Sequence, residues 1–143
     1  MLENGKRVEA EGEEVSLRRR TPIQRSRAIR ANKNLRASER EQARAWRDAV
    51  MRSTGGLSII SGLPAEEAHH VIPKGVLRRR GLSAHVWDAR NGVPLTRREH
   101  ERHTTRVEPL LLSILPAAAF DFATQHGLEW HVKKHYPTAE VTE

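Results

Sequence analysis

The sequence predicts a small α+β domain preceded by a disordered, charged N-terminal arm. Three observations lead there. Between 38 and 136, short apolar segments bounded by turn residues alternate with segments of helical periodicity. Helix start and stop signals fall at the edges of those helical segments: Ser38 with Glu41, Thr96, Pro116 and Gly127. The first 36 residues are too poor in apolar side chains to anchor a core. A chain of 143 residues fits one domain of this kind.

The elements are expected in this order. Residues 1–15 carry five glutamates against only Lys6 and Arg7. Leu17 to Ala37 carry Arg18, Arg19, Arg20, Arg25, Arg27, Arg30, Lys33 and Arg36 and no acid. Residues 1–36 therefore read as an acidic leader and a basic arm. The arm is either a solvated tail or a segment that lies along a phosphate backbone. Ser38-Glu39-Arg40-Glu41 matches a capping box and opens a helix with Ala45, Trp46, Ala49 and Val50 on one face. Thr54-Gly55-Gly56 ends it near Ser53. Leu57 to Ile60 reads as a strand, Ser61 to Pro64 as a turn, and Ala68 to Ile72 as the returning strand of a hairpin. Lys74 to Arg80 is a basic, helical connection, and 81–90 a loop. Asn91-Gly92 is a turn signal, and Val93-Pro94-Leu95 is short and extended. Thr96 caps a helix through Thr105. After the apolar Leu110 to Leu115, Pro116 opens a helix over 117–126 that Gly127 closes. A short helix from Glu129 to His135 precedes the tail, 137–143. The folded domain is expected over 37–136.

Lys and Arg number 25 against 18 Asp and Glu, a net charge of +7. A small chain with that excess reads first as a binder of nucleic acid. The absence of cysteine excludes disulfides, thiolate nucleophiles and cysteine-ligated metals. No apolar run of roughly 18 residues is present, and the N-terminal residues lack the apolar core of a secretory signal. The expectation is a cytoplasmic protein with no membrane partner. Trp87 and Trp130 are expected in the core, and His85, His126, His131 and His135 as surface or packing residues.

The histidines carry the chemistry. His69 and His70 end a strand, Asn91 sits in a turn, and His100 and His103 lie on a helix. Adjacent strand residues point to opposite sides, so His69 and His70 should do different work. His100 and His103, three apart, share a helix face. Strand, strand and helix bearing His, Asn and His is a compact way to build a metal site.

The segment AEEAHHVIPKGVLRRRG…WDARNGVPLTRREHERHT resembles the HNH endonuclease family, whose core is the ββα-metal fold. The likeness covers about Ser58 to Thr105, roughly a third of the chain, and the basic arm loosely resembles small phage-encoded members. The resemblance implies a DNA endonuclease or nickase, or alternatively a non-catalytic DNA-binding accessory protein on a degenerate HNH fold. It implies His70 as general base, with His69 and His100 as ligands of one divalent ion, Mg, Mn, Ni or Zn. His103 is a third ligand or a phosphate contact, and Asn91 orients the general-base loop or reaches the metal. DNA would be held by the arm arginines Arg18, Arg19, Arg20, Arg25, Arg27 and Arg30, and by Lys74, Arg78, Arg79, Arg80, Arg97 and Arg98. Many relatives bind a structural zinc through two CxxC pairs, which here correspond to Ser58 and Ser61, then Thr96 and Glu99. Structural zinc is therefore not expected. Leu110 to Leu115, Phe120, Phe122 and Trp130 should supply the stability instead. The setting implied is a bacterial host or a phage genome, with DNA and a recombination or packaging protein as partners.

Overall fold

Thr21-Pro22-Ile23-Gln24 opens the first helix of the structure, a computed structural model that describes residues 21–139. Helix α1 spans Pro22–Arg52. Thr21 N–H donates to Gln24 Oε1 at 2.9 Å, and Gln24 N–H donates to Thr21 Oγ1 at 3.3 Å. This reciprocal pair is a capping box, and Pro22 takes the first position, where a missing N–H is harmless. Residues 22–36, expected in the disordered arm, are thus helical, and Ser38 lies inside the helix instead of capping it. The reason is local. From Ile23 to Ser53 there is no glycine or proline, and good helix formers dominate. Sparse apolar content bears on packing, not on helix formation, and every side chain from Thr21 to Arg40 except Ala28 is exposed. The leader and Arg18, Arg19 and Arg20 lie outside the described residues. The chain divides between Glu39 and Arg40 into two units.

In the second unit, two antiparallel strands form the sheet, β1 at Glu67–His70 and β2 at Gly92–Leu95. Glu67 pairs with Leu95, Ala68 with Pro94, His69 with Val93 and His70 with Gly92. The hairpin expected between 57–60 and 68–72 does not form, and Leu57 makes only an isolated bridge to Pro64. Burial decides between the two pairings. Every residue of β2 is buried, whereas Leu57, Ile60 and Leu63 stay exposed. Gly55, Gly56 and Gly62, all at positive φ, fold 54–64 back on itself. Asn91 ends a 3-10 turn, Ala89–Asn91, and Gly92 opens β2 with an extended φ of −142°.

Gly92 is needed for close approach. A Cβ there would collide with Val50 Cγ2 and reach within 2.7 Å of Trp46 Cζ2. Val50 and Trp46, 1% and 6% exposed, are the buried residues of α1. The Trp46 indole N–H also donates to the Asp88 carbonyl at 3.0 Å, which anchors that end of α1.

Helix α2, Lys74–Arg79, follows β1, and α3, Arg97–Thr104, follows β2. Thr96 caps α3 as expected, in a full capping box with Glu99. Helices α4, Ala117–Gln125, and α5, Glu129–His135, close the unit. The core joins Val71, Ile72, Leu77, Val86, Val93 and Leu95 to Leu110, Leu115, Phe122, Leu128, Val132 and Tyr136. Each such side chain contributes about 1.5–3 kcal/mol when fully buried. Phe120 and Trp87 pack on this core. Trp130, expected inside it, is 47% exposed and carries the Arg80 guanidinium 5.1 Å from its ring. Among the described residues no helix is long and apolar enough to cross a membrane.

Replacing Gly92 with Ala should destabilise the domain by about 1–3 kcal/mol, since it overpacks a filled contact. A thermal melt checks this, and an unchanged Tm would contradict the close approach.

Candidate functional site

β1 sends its two histidines to opposite sides, as strand alternation requires. His69 faces α3 and Tyr136. His69 Nδ1 lies 3.2 Å from His100 Nε2, and His69 Nε2 lies 2.9 Å from Tyr136 Oη. The hydrogen positions follow from the partners. Tyr136 donates its one hydroxyl proton to the Val71 carbonyl at 2.7 Å, so it must accept from His69 Nε2–H. The lone pair of a neutral His69 is therefore on Nδ1. His100 Nδ1 lies 2.6 Å from Glu67 Oε2. The hydrogen bond from His100, assisted by Arg97, holds the Glu67 carboxyl below its ordinary range, so Glu67 accepts and His100 Nδ1 donates. A neutral His100 then points the Nε2 lone pair at the Nδ1 lone pair of His69. Two such lone pairs 3.2 Å apart repel unless a cation, a proton or a metal ion, sits between them.

The spacing suits a metal ion. With bonds of about 2.0–2.1 Å, two nitrogens on one tetrahedral ion lie roughly 3.3 Å apart. The Glu67 carboxylate behind His100 is the outer partner that ligating histidines commonly have. The donor set stops at two. Among the described residues no group of three or more His, Cys, Asp or Glu is arranged to hold an ion. His103, a candidate third ligand, lies with its ring centroid 4.8 Å from that of His69, but its Nδ1 accepts from Leu110 N–H at 2.8 Å. The neutral His103 ring therefore carries its proton on Nε2 and offers donation in place of ligation.

His70 lies on the other side of β1. Its Nε2–H donates to the Val86 carbonyl at 3.1 Å, which leaves the lone pair on Nδ1. The ring stacks on Trp46 at 3.9 Å and meets the edge of Trp87 at 5.7 Å. Burial pushes its pKa down to about 4, against the Val86 bond and helped by Lys74 and Arg78. His70 is neutral at pH 7 and able to accept a proton.

Asn91 is fully buried, and Ile72 takes both ends of its amide. Oδ1 accepts from Ile72 N–H at 2.8 Å, and Nδ2 donates to the Ile72 carbonyl at 2.9 Å. Of its two expected roles, this geometry fits orientation of the segment after His70.

Ser58, Ser61, Thr96 and Glu99 also come together. Ser58 Oγ donates to Glu99 Oε1 at 2.5 Å, and Thr96 N–H donates to the same oxygen at 2.8 Å. Burial raises the Glu99 pKa, but hydrogen bonds from Ser58, Thr96 and Ser61 outweigh it and hold the carboxyl low. A carboxylate cluster thus ties 58–61 to the start of α3.

The expected DNA contacts divide. Lys74 and Arg78 act electrostatically on His70, and Lys74 lies 5.3 Å over Trp87. Arg79, Arg80 and Arg98 are exposed. Arg97 is tied to Glu67 at 3.3 Å. Arg25, Arg27 and Arg30 are exposed on the first unit. Glu67 and Tyr136 were not anticipated. Glu67 had a signal, since a residue two before His69 shares its strand face. Compared with known proteins, the chain matches no family model, no curated relative and no solved structure.

Burial is the leading cause that holds His69, His70, His103, His126, His131 and His135 below the ordinary value of 6.5, His69 reaching about 3. The unfolded chain therefore takes up more protons as pH falls below 6.5. The Tm of the metal-free protein should decline from pH 6.5 towards 4. A Tm constant across that window would contradict the buried neutral rings.

Proposed function

We propose that the chain is a metal-dependent DNA endonuclease or nickase of HNH type, built on a ββα-metal core. The convergence of His69 Nδ1 and His100 Nε2 beside the oriented base His70 carries this reading. The order β1, β2, α3 and the excess of basic residues support it.

His70 Nδ1 accepts a proton from the water that attacks phosphorus. The P–O bond to the leaving sugar oxygen breaks, and that oxygen takes a proton from solvent. The Val86 carbonyl holds the ring and stabilises the imidazolium that forms, while the Trp46 face favours the charged ring. An anionic phosphate beside the ring raises its pKa from about 4 towards the working range. Asn91 keeps the following backbone in register. Lys74 and Arg78 lie where phosphate charge gathers. His69 and His100 would hold the ion, with Glu67 and Tyr136 fixing their tautomers. A divalent ion bound there supplies Lewis-acid stabilisation of phosphate charge. Two imidazoles suit Zn or Ni better than Mn or Mg.

One observation favours a second reading, a DNA-binding accessory protein that does not cut: the described donor set has two ligands and no third. A plasmid assay with Mg, Mn, Ni or Zn and an EDTA control separates the two. Cutting is expected with at least one ion, and His70→Asn should slow it by about 10²–10⁴ while Tm and DNA affinity stay near wild type. Full cutting by that variant would remove His70 as the base. DNA binding without cutting in any metal would favour the accessory protein.

A further inference from the structure

A cavity of about 270 Å³ adjoins His69 and is bordered by His103, Arg106, His131, His135 and Tyr136. Its His103, Arg106 and His135 side chains present donors. His103 Nδ1 accepts from Leu110 N–H at 2.8 Å, and His135 Nδ1 accepts from Arg106 Nη2 at 3.0 Å. Neither a backbone amide nor a guanidinium has a lone pair to offer, so in both neutral rings the proton is on Nε2. His131 is 6% exposed, and its Nδ1 is sealed without a partner. Among the described residues no Asp or Glu lines the cavity. Arg106 adds a fixed positive charge, and Arg80 and Lys134 act on His131 from nearby. Such a lining repels a metal ion and suits an anion.

We propose that this cavity receives a phosphate of the DNA backbone, adjacent to the one cleaved, through Arg106 and the Nε2–H groups of His103 and His135. The choice of DNA as the source of the phosphate rests on the nuclease reading, whereas the anion chemistry stands on the lining alone. The position follows from the shared wall. His69 and His103 border the cavity, and His69 is half of the candidate ion site, so a strand crossing that site places a neighbouring phosphate here. Arg106 sits just past α3 at a φ of 63°, a left-handed conformation that a non-glycine residue adopts at some strain. That backbone holds its guanidinium against His135.

The test uses the full chain and two probes, inorganic phosphate and a duplex oligonucleotide. Two variants spare the fold. Arg106→Gly suits the positive φ, and His135→Gln keeps a polar group on α5. Inorganic phosphate should shift the imidazole resonances of His103 and His135 and compete with the duplex. Each variant should weaken duplex binding about tenfold, and Arg106→Gly, which removes the charge, should also lower the slope of log affinity against log salt by about one. Phosphate that leaves those resonances in place would overturn the anion site. Phosphate that binds without competing, or variants with unchanged duplex affinity and slope, would overturn DNA as the occupant. A duplex that binds with the expected slope but is never cut would contradict the nuclease reading and leave the phosphate site standing.

Discussion

Tyr136 has one hydroxyl proton, and the Val71 carbonyl receives it at 2.7 Å. That single bond constrains everything around His69. It turns Tyr136 into an acceptor, puts the His69 proton on Nε2 and leaves Nδ1 bare towards α3. Glu67 does the corresponding work on His100 from two residues before His69, on the same face of β1. The outcome is a pair of lone pairs that only a cation can reconcile. Tyr136 itself is 2% exposed and packs in the core, so the tautomer of the site is fixed by the folding of the C-terminal segment. Leu110 to Tyr136 therefore does more than fill a core. The same segment supplies the Leu110 amide that converts His103 into a donor.

The two faces of β1 divide the labour. On one, His69 Nδ1 and His100 Nε2 come within 3.2 Å of each other. On the other, His70 is clamped between the Trp46 face and the Val86 carbonyl. That clamp depends on α1 lying directly against β2, which depends in turn on Gly92 having no side chain. Asn91, the preceding residue, ties the chain after His70 to the entry of β2 through Ile72. Two consecutive residues, one for its amide and one for its lack of a Cβ, position His70.

Much of this was legible in the residues. The opposite orientations of His69 and His70, the cap at Thr96 and the helices over 117–135 follow from local rules, and the structure holds them. The pairing of the strands did not follow. Leu57 to Ile60 has the composition of a strand, but pairing is settled by which partner can be buried, and Gly92–Leu95 can be buried completely. α1 starts before Ser38 because low apolar content says little about helix formation, and the capping pair is Thr21 and Gln24 instead of Ser38 and Glu41. Residue type alone puts Trp130 inside, yet a partly exposed ring under Arg80 satisfies the same side chain. The tautomers of the histidines were beyond reach, since they depend on Tyr136, Leu110 and Arg106, none of them near His69 in sequence.

The most direct measurement is a titration of the protein with Zn²⁺, with the imidazole nitrogens followed by NMR. Binding between His69 and His100 should move His69 Nδ1 and His100 Nε2 together. His70 and the Nδ1 of His103 should stay in place. Zinc that leaves those two nitrogens unmoved, or that engages His103 Nδ1 in place of the Leu110 amide, would contradict a site built from two converging lone pairs.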